Sequence, residues 1–241
     1  MTLHFIPIMG LLLAATAAHA QVDGPAAQAN LNSLVNGAPT VVPRGSSDGL
    51  KGSPYADARW LPAQLTLSNK LPLALVPLKY DVLDHRLLMH KPAPSPDSLQ
   101  LDDRLVERFV LLEPTASGPA RPRTFRRFRE APLPQYRSDY VEVLHEGNYA
   151  LLNHHLKTMK KADIQGAYNT DRRYDEIEDK SVYYLRLPDA TLAPVKLNLK
   201  ALQAAAPALA NGLKTAAAAQ KPKTDADWGA VFNTADPSPA K

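Results

Sequence analysis

The chain has 241 residues, of which 45% are hydrophobic and 22% charged, so one domain with a sizeable core is expected and wholesale disorder is not. It contains 22 prolines, 11 glycines and no cysteine, which excludes disulfide bonds and a cysteine nucleophile. The net charge of +4 is mild, so it favours weak attraction to acidic surfaces and does not indicate nucleic-acid binding.

The first 20 residues are typical of a secretory signal peptide. An apolar run over residues 6–15 is followed by Ala18-His19-Ala20, which has the small-x-small pattern of a cleavage site. The apolar run is shorter than the roughly 20 residues that span a bilayer, which disfavours an anchoring transmembrane helix. Cleavage would leave Gln21 as the first residue. We therefore expect an exported protein without a transmembrane span, located in the periplasm, on the outer-membrane surface or in the medium.

Residues 21–50 are rich in small and polar residues without a sustained period, so we expect a flexible lead-in to the domain. A β domain is predicted over residues 51–197. Its first half consists of short runs that alternate between apolar and polar residues, at 65–67, 78–82, 86–90, 98–101 and 106–112. This pattern is typical of an antiparallel meander with one apolar and one solvated face.

An arginine-rich segment follows the first half. Five arginines fall within nine residues, namely Arg121, Arg123, Arg126, Arg127 and Arg129. In an extended segment Phe125 and Phe128 would face opposite ways. One interpretation is an anion-binding patch, because guanidinium groups suit phosphate and carboxylate. The other is an exposed edge strand that its charge protects against sheet-to-sheet aggregation. The segment is expected to be solvent-exposed.

The second half of the β domain begins at Tyr140. We expect a strand over 140–144, a turn at Gly147, a long return strand over 149–159, and a hairpin over 182–197. The charged residues 160–180 are expected to form a surface loop. Residues 198–235 predict a helical appendage, in which Thr224 to Asp227 resembles a capping box before a helix that buries Trp228 and Phe232. Residues 236–241 are expected to be a disordered tail.

Together these patterns predict a mainly β fold. We expect an antiparallel meander of about eight to ten strands that forms a sandwich or a partly closed barrel, with short C-terminal α-helices.

The polar residues do not assemble into a recognisable reaction centre. His154 and His155 are neighbours in a predicted strand, so they point to opposite faces and cannot both ligate one ion. The carboxylates at Asp102-Asp103 and over 175–179 fall in a predicted turn and a charged loop. We therefore predict no catalytic residue, no metal site and no cofactor.

Several runs resemble a group of uncharacterised secreted proteins from Bacteroidetes-type bacteria. They are Gly52-Ser53-Pro54-Tyr55, the strand over 76–82, the strand over 140–144 with its Gly147 turn, and Lys200-Ala201-Leu202. The resemblance covers roughly residues 50–235. It implies a shared fold and secretion, and it supplies no activity and no catalytic residues.

The expected function is that of an exported, envelope-associated protein with a non-catalytic binding or structural role. Its expected partners are an anionic envelope glycan, a lipid headgroup or another envelope protein. The alternative is a hydrolase that acts on envelope glycan or lipid. A deep concave pocket in which an aspartate or glutamate faces a histidine or arginine would favour this hydrolase.

Signal cleavage gives a first testable prediction. In cells of the source organism, the protein should be found in an exported fraction with Gln21 as its first residue, because the cleavage site lies directly before it. Cell fractionation followed by mass spectrometry of the N-terminal peptide checks this. A chain that keeps residues 1–20 in the cytoplasmic fraction would contradict export.

Overall fold

The computed structural model of this protein describes residues 24–36, 41–42, 50–90, 98–162 and 174–236. The predicted signal peptide, residues 91–97, residues 163–173 of the predicted surface loop and residues 237–241 lie outside the described residues.

Within the described residues, fourteen strands form two sheets. The strands are β1 (Val41–Val42), β2 (Leu50–Lys51), β3 (Leu61–Leu67), β4 (Val76–Asp81), β5 (Arg86–His90), β6 (Ser98–Gln100), β7 (Val106–Glu113), β8 (Arg121–Arg127), β9 (Tyr140–Glu146), β10 (Ala150–His154), β11 (Lys157–Lys160), β12 (Asp175–Asp179), β13 (Val182–Arg186) and β14 (Leu192–Val195). Eleven strands form one antiparallel sheet, in the order β1-β6-β5-β4-β3-β7-β8-β9-β10-β13-β14. The small second sheet has the order β11-β12-β2, with β2 parallel to β12. The mainly β, antiparallel prediction is confirmed.

The large sheet is strongly curled. Tyr80 in β4 and Tyr140 in β9 lie with ring centroids 5.5 Å apart, although β3, β7 and β8 separate their strands in the sheet. In a flat sheet, four strand spacings would place these two strands about 19 Å apart. Phe109 of β7 stacks on Phe125 of β8 beside them, with centroids 4.8 Å apart. The curl therefore makes the two halves of the sheet face each other across an aromatic core, as in a sandwich.

The segment predicted as a flexible lead-in contains a packed helix, α1 (Pro25–Asn36). Leu31 and Leu34 are buried in the apolar core that also contains Tyr80 and Phe109, the first core of the protein. The backbone N–H of Asp102 donates to the Leu34 carbonyl at 3.2 Å. Ala27, Leu31 and Leu34 are spaced four and three residues apart, so they share one face of the helix. This short stripe lies among small and polar residues, which explains why the sequence pattern did not reveal it.

Three helices cover the other end of the sheet, in the part of the chain for which the sequence predicts a helical appendage. They are α2 (Leu199–Ala205), α3 (Ala210–Gln220) and α4 (Asp225–Ala235), and they pack on Tyr149, Leu151 and Leu185. The capping box at Thr224 is confirmed, and Trp228 and Phe232 are buried. No helix in the described part of the chain is long and apolar enough to cross a membrane.

Helix α4 approaches β9 closely because a glycine faces the strand. A Cβ atom on Gly229 would lie 2.4 Å from the carbonyl oxygen of Leu144, closer than any real side chain allows. The start of α4 is thereby fixed beside β9 and β10.

The predicted tail is packed at its first residue. Asp236 is 3% exposed, accepts a hydrogen bond from the backbone N–H of Tyr149 at 2.7 Å, and lies 3.1 Å from Nε2 of His145. Its carboxylate satisfies buried donors, and this holds the end of α4 against the β9–β10 turn.

The predicted return strand over 149–159 is divided in two. Strand β10 ends at His154 in the large sheet, and β11 begins at Lys157 in the small sheet. His155 therefore lies between the two sheets. The predicted loop over 160–180 contains β12, which pairs with β11.

The packing of α1 generates a prediction. Leu34→Ala should lower the free energy of unfolding by about 2–5 kcal/mol, because it leaves a cavity at a position that is 6% exposed. Ser33→Ala, at the neighbouring exposed position, should change it by less than about 0.5 kcal/mol. Urea denaturation of the mature chain measures both values. Equal, small effects would mean that α1 does not pack on the core.

Candidate functional site

A polar cleft lies where the curled sheet meets the first turn of α4. It consists of two adjoining depressions, of about 300 and 340 Å³, that share Asp225 as a lining residue. Residues of β8, β9 and the start of α4 line the first depression. The second is lined by residues of β10, β11, β12 and β13, by the segments that join β10 to β11 and β12 to β13, and by Ala56 and Asp225.

Glu142 of β9 is the best-connected carboxylate in the cleft. Arg123 Nε and Nη2 donate to its two oxygens at 2.7 and 2.9 Å, and His155 Nε2 lies 2.7 Å from Oε2. Because an ionised carboxylate only accepts, His155 Nε2 must carry the hydrogen. Arg123 also donates to Asp57 at 3.0 Å, in the segment between β2 and β3. Side chains from three separate parts of the chain are therefore joined in one network.

The environment of Glu142 sets its protonation. Burial raises the pKa of this carboxyl, but hydrogen bonds from Arg123 and His155 outweigh burial and lower the pKa to about 2. Glu142 is therefore ionised at neutral pH and is a weak base. A general acid or base works best when its pKa lies near the operating pH, which disfavours either role for Glu142.

Asp225 is held by two neutral donors. The Tyr183 hydroxyl lies 2.9 and 3.1 Å from its two oxygens, and Asn153 Nδ2 donates to Oδ2 at 3.0 Å. Burial and the adjacent charge of Asp225 both raise the pKa of Tyr183, so its hydroxyl keeps its proton. Asn153 is 2% exposed, and its carbonyl Oδ1 has no hydrogen-bond partner among the described residues.

Lys157 and Asp179 form a third pair at the rim, at 2.7 Å. Burial raises the pKa of Asp179, but hydrogen bonds from Lys157 and Ser181 lower it to about 2. The lysine charge is thereby neutralised within the cleft.

Each of the five arginines predicted to bind anions pairs with a carboxylate. The pairs are Arg121 with Glu113, Arg123 with Glu142, Arg126 with Glu130, Arg127 with Asp103, and Arg129 with Glu107. The side chains of Arg123, Arg126 and Arg127 are 13%, 21% and 15% exposed, so these three differ from the expected exposure. Anion binding by this segment stays a prediction, and any anion would have to compete with these carboxylates.

The edge-strand interpretation of the arginine segment is wrong. Strand β8 lies inside the sheet and pairs with β7 on one side and β9 on the other. Neighbouring carboxylates neutralise its arginines, so a charged strand can occupy an interior position. Phe125 and Phe128 do face opposite ways, because they belong to different buried clusters.

Two of these arginines, Arg121 and Arg123, line the cleft. Sequence reasoning missed the residues that complete it, among them Asn153, Tyr183 and Asp225, and it missed Asp57, which holds Arg123. Each is an ordinary polar residue in its own segment, and only the curl of the sheet and the docking of α4 bring them together.

The histidines divide between two faces, as predicted. His155 faces Glu142 in the cleft, whereas His154 Nε2 lies 2.9 Å from Asp139 on the other face. His85 is half exposed and also pairs with Asp139, at 3.0 Å. In the described part of the chain, no group of three or more histidine, aspartate or glutamate side chains could hold a metal ion.

Comparisons with known proteins found no matching family model, no matching curated protein and no matching solved structure. The class of the protein is therefore described by its own structure. It is an antiparallel β protein with a C-terminal helical layer, and a polar cleft lies between the sheet and that layer. The resemblance to secreted bacterial proteins stays a prediction.

The Glu142 network generates a stability prediction. Glu142→Gln should lower the free energy of unfolding at pH 7 by about 3–5 kcal/mol, because it breaks a buried ion pair and leaves Arg123 short of a partner. Glu107→Gln breaks a more exposed pair with Arg129 and should cost less than about 1 kcal/mol.

The same network should respond to acid. The pKa of Glu142 is lowered from 4.5 when unfolded to about 2 when folded, so its stabilisation is complete above pH 4.5 and is lost as the pH falls towards 2. Denaturation of wild type and Glu142→Gln across this range should show their difference shrinking. A difference that stays constant with pH would contradict the proposed pairing.

Proposed function

We propose that this protein is exported to the bacterial cell envelope, where it has a non-catalytic binding role, and that the polar cleft is its ligand-binding surface. Export is supported by the signal-peptide pattern of residues 1–20. The cleft supports a binding role because it is concave and polar, and its volume lies at the lower end for small-ligand sites.

The observation that carries the proposal is the way in which the charges of the cleft are used. Arg123 and Glu142 hold each other, His155 donates to Glu142, and Lys157 holds Asp179. These groups therefore hold one another in fixed positions as hydrogen-bonding partners. A fixed set of donors and acceptors suits recognition of a polar ligand.

The charge balance also indicates the kind of ligand. The arginines and the lysine that line the two depressions are each paired with a carboxylate, and Asp225 adds a further negative charge. The negative charge of Asp225 would repel an anionic ligand. The cleft therefore favours a neutral or amine-bearing envelope component over the anionic glycan or lipid expected from the arginine segment.

One observation favours the hydrolase alternative, since Glu142 faces both His155 and Arg123, as a catalytic carboxylate could. The sequence Gly45-Ser46-Ser47-Asp48-Gly49 also fits the Gly-x-Ser-x-Gly pattern of serine hydrolases, and it lies outside the described residues. That pattern requires a helix after the serine turn, whereas strand β2 begins at Leu50. The low pKa of Glu142 and this mismatch both favour binding.

A cell-wall binding experiment tests the proposal. Soluble fragments released from purified bacterial cell-wall glycan should raise the melting temperature of the mature chain in a saturable way, because a ligand that binds the folded state stabilises it. Ala226→Trp should abolish this shift by filling the first depression, whereas Ala230→Trp, on the exposed face of the same helix, should not.

Mass spectrometry of the fragments after incubation separates the two functions. Unchanged fragments are expected. Cleaved fragments would establish the hydrolase, and Ser47→Ala would show whether that serine is its nucleophile. The absence of any melting shift, or its equal loss in both tryptophan variants, would contradict binding in the cleft.

A further inference from the structure

We propose that Asp225, Asn153 and Tyr183 form a subsite for a primary ammonium group. This inference rests on the proposed function, because it names the ligand group that the cleft would recognise. Asp225 lies in the first turn of α4 and lines both depressions, so it occupies the centre of the cleft.

Asp225 differs from the other carboxylates of the cleft in its partners. Glu142 is paired with Arg123, and Asp179 is paired with Lys157. Among the described residues, Asp225 accepts hydrogen bonds from side chains only of Tyr183 and Asn153, both of them uncharged donors. Within the described part of the chain, the Asp225 carboxylate is therefore held in place by neutral donors and not by a cation.

The Arg121 and Arg123 side chains line the same depression as Asp225. They are held by Glu113 and by Glu142 respectively. Their pairing leaves the Asp225 carboxylate as the group that an incoming cation would meet.

Asn153 fixes the orientation of the Asp225 carboxylate. Its Nδ2 donates to Asp225, and because a carboxylate only accepts, the amide cannot be turned round. Asn153 lines the second depression and is 2% exposed. Its carbonyl Oδ1 is fully buried, so Asn153 takes part in the subsite through Nδ2 alone.

The donors that fit this arrangement are those of an ammonium group. The subsite offers the two carboxylate oxygens of Asp225 and the lone pairs of the Tyr183 hydroxyl. A primary ammonium carries three N–H donors and a positive charge, so it satisfies several acceptors and neutralises Asp225 together. A metal ion fits less well, because no cluster of three or more ligating side chains is present among the described residues.

The size of the cleft limits the rest of the ligand. A depression of about 340 Å³ accommodates a small organic amine, or the amine-bearing end of a larger fragment that extends into the adjoining depression.

Calorimetric titration of the mature chain with n-butylammonium chloride tests the inference. We expect saturable binding by the wild type and at least about tenfold weaker binding by Asp225→Asn, because an ionic hydrogen bond is lost. Tyr183→Phe keeps the carboxylate and loses its orienting donor, so it should weaken binding by a smaller factor. Asp189→Asn, which replaces an aspartate in the exposed β13–β14 turn, should bind as the wild type does.

Two matched probes complete the experiment. Tetramethylammonium has the charge without N–H donors, and n-butanol has the chain length without the charge, so both should bind more weakly than n-butylammonium. The inference would be overturned if Asp225→Asn bound n-butylammonium as tightly as the wild type does. It would also be overturned if the wild type bound the three probes equally well. If n-butylammonium fails while cell-wall fragments still raise the melting temperature, the ammonium subsite is wrong and the proposed function stands. If neither binds, both proposals fail.

Discussion

The contact between Tyr80 and Tyr140 is the constraint on which the rest of the structure depends. Their rings meet edge to face, and the Tyr140 backbone N–H donates to the Tyr80 hydroxyl at 3.3 Å. This contact closes β4 against β9 across three intervening strands, with Phe109 and Phe125 filling the space between them. Aromatic side chains bury large areas and prefer such tilted arrangements, so one cluster can hold the sheet in its curled form.

The curl determines where the charges meet. The segment that carries Asp57 lies against β4, since Tyr55 bridges Asp81, and the curl then places Asp57 beside Arg123 of β8. A buried ion pair contributes little net stability over an apolar pair, whereas losing one partner is costly. We therefore interpret the Arg123 network as fixing how the two halves of the sheet align, while the aromatic core stabilises their association.

Local patterns in the sequence revealed most of the fold. The apolar run at 87–89, bounded by Arg86 and His90, identified β5 with both boundaries, and the box at Thr224 identified the start of α4, because each depends on neighbouring residues alone. The interior position of β8 could not be read in this way, since it depends on partners that lie 8 to 19 residues away along the chain. The same holds for the cleft, whose members Ala56, Asn153 and Asp225 meet only through the curl and the docked helix.

The position of the cleft follows from the two apolar clusters on either side of it. Along β9, Tyr140 packs in the first core, and Leu144 packs against the apolar cluster beneath the three C-terminal helices. Both side chains lie on one face of β9. Glu142 lies between them on that face, at the seam where neither cluster supplies an apolar cover. Polar side chains at such a seam must satisfy one another or a ligand, because burial without a partner is costly. Glu142 has its partners in Arg123 and His155, and Asp225 has its partners in Tyr183 and Asn153, so the polar groups of the seam hold one another in place.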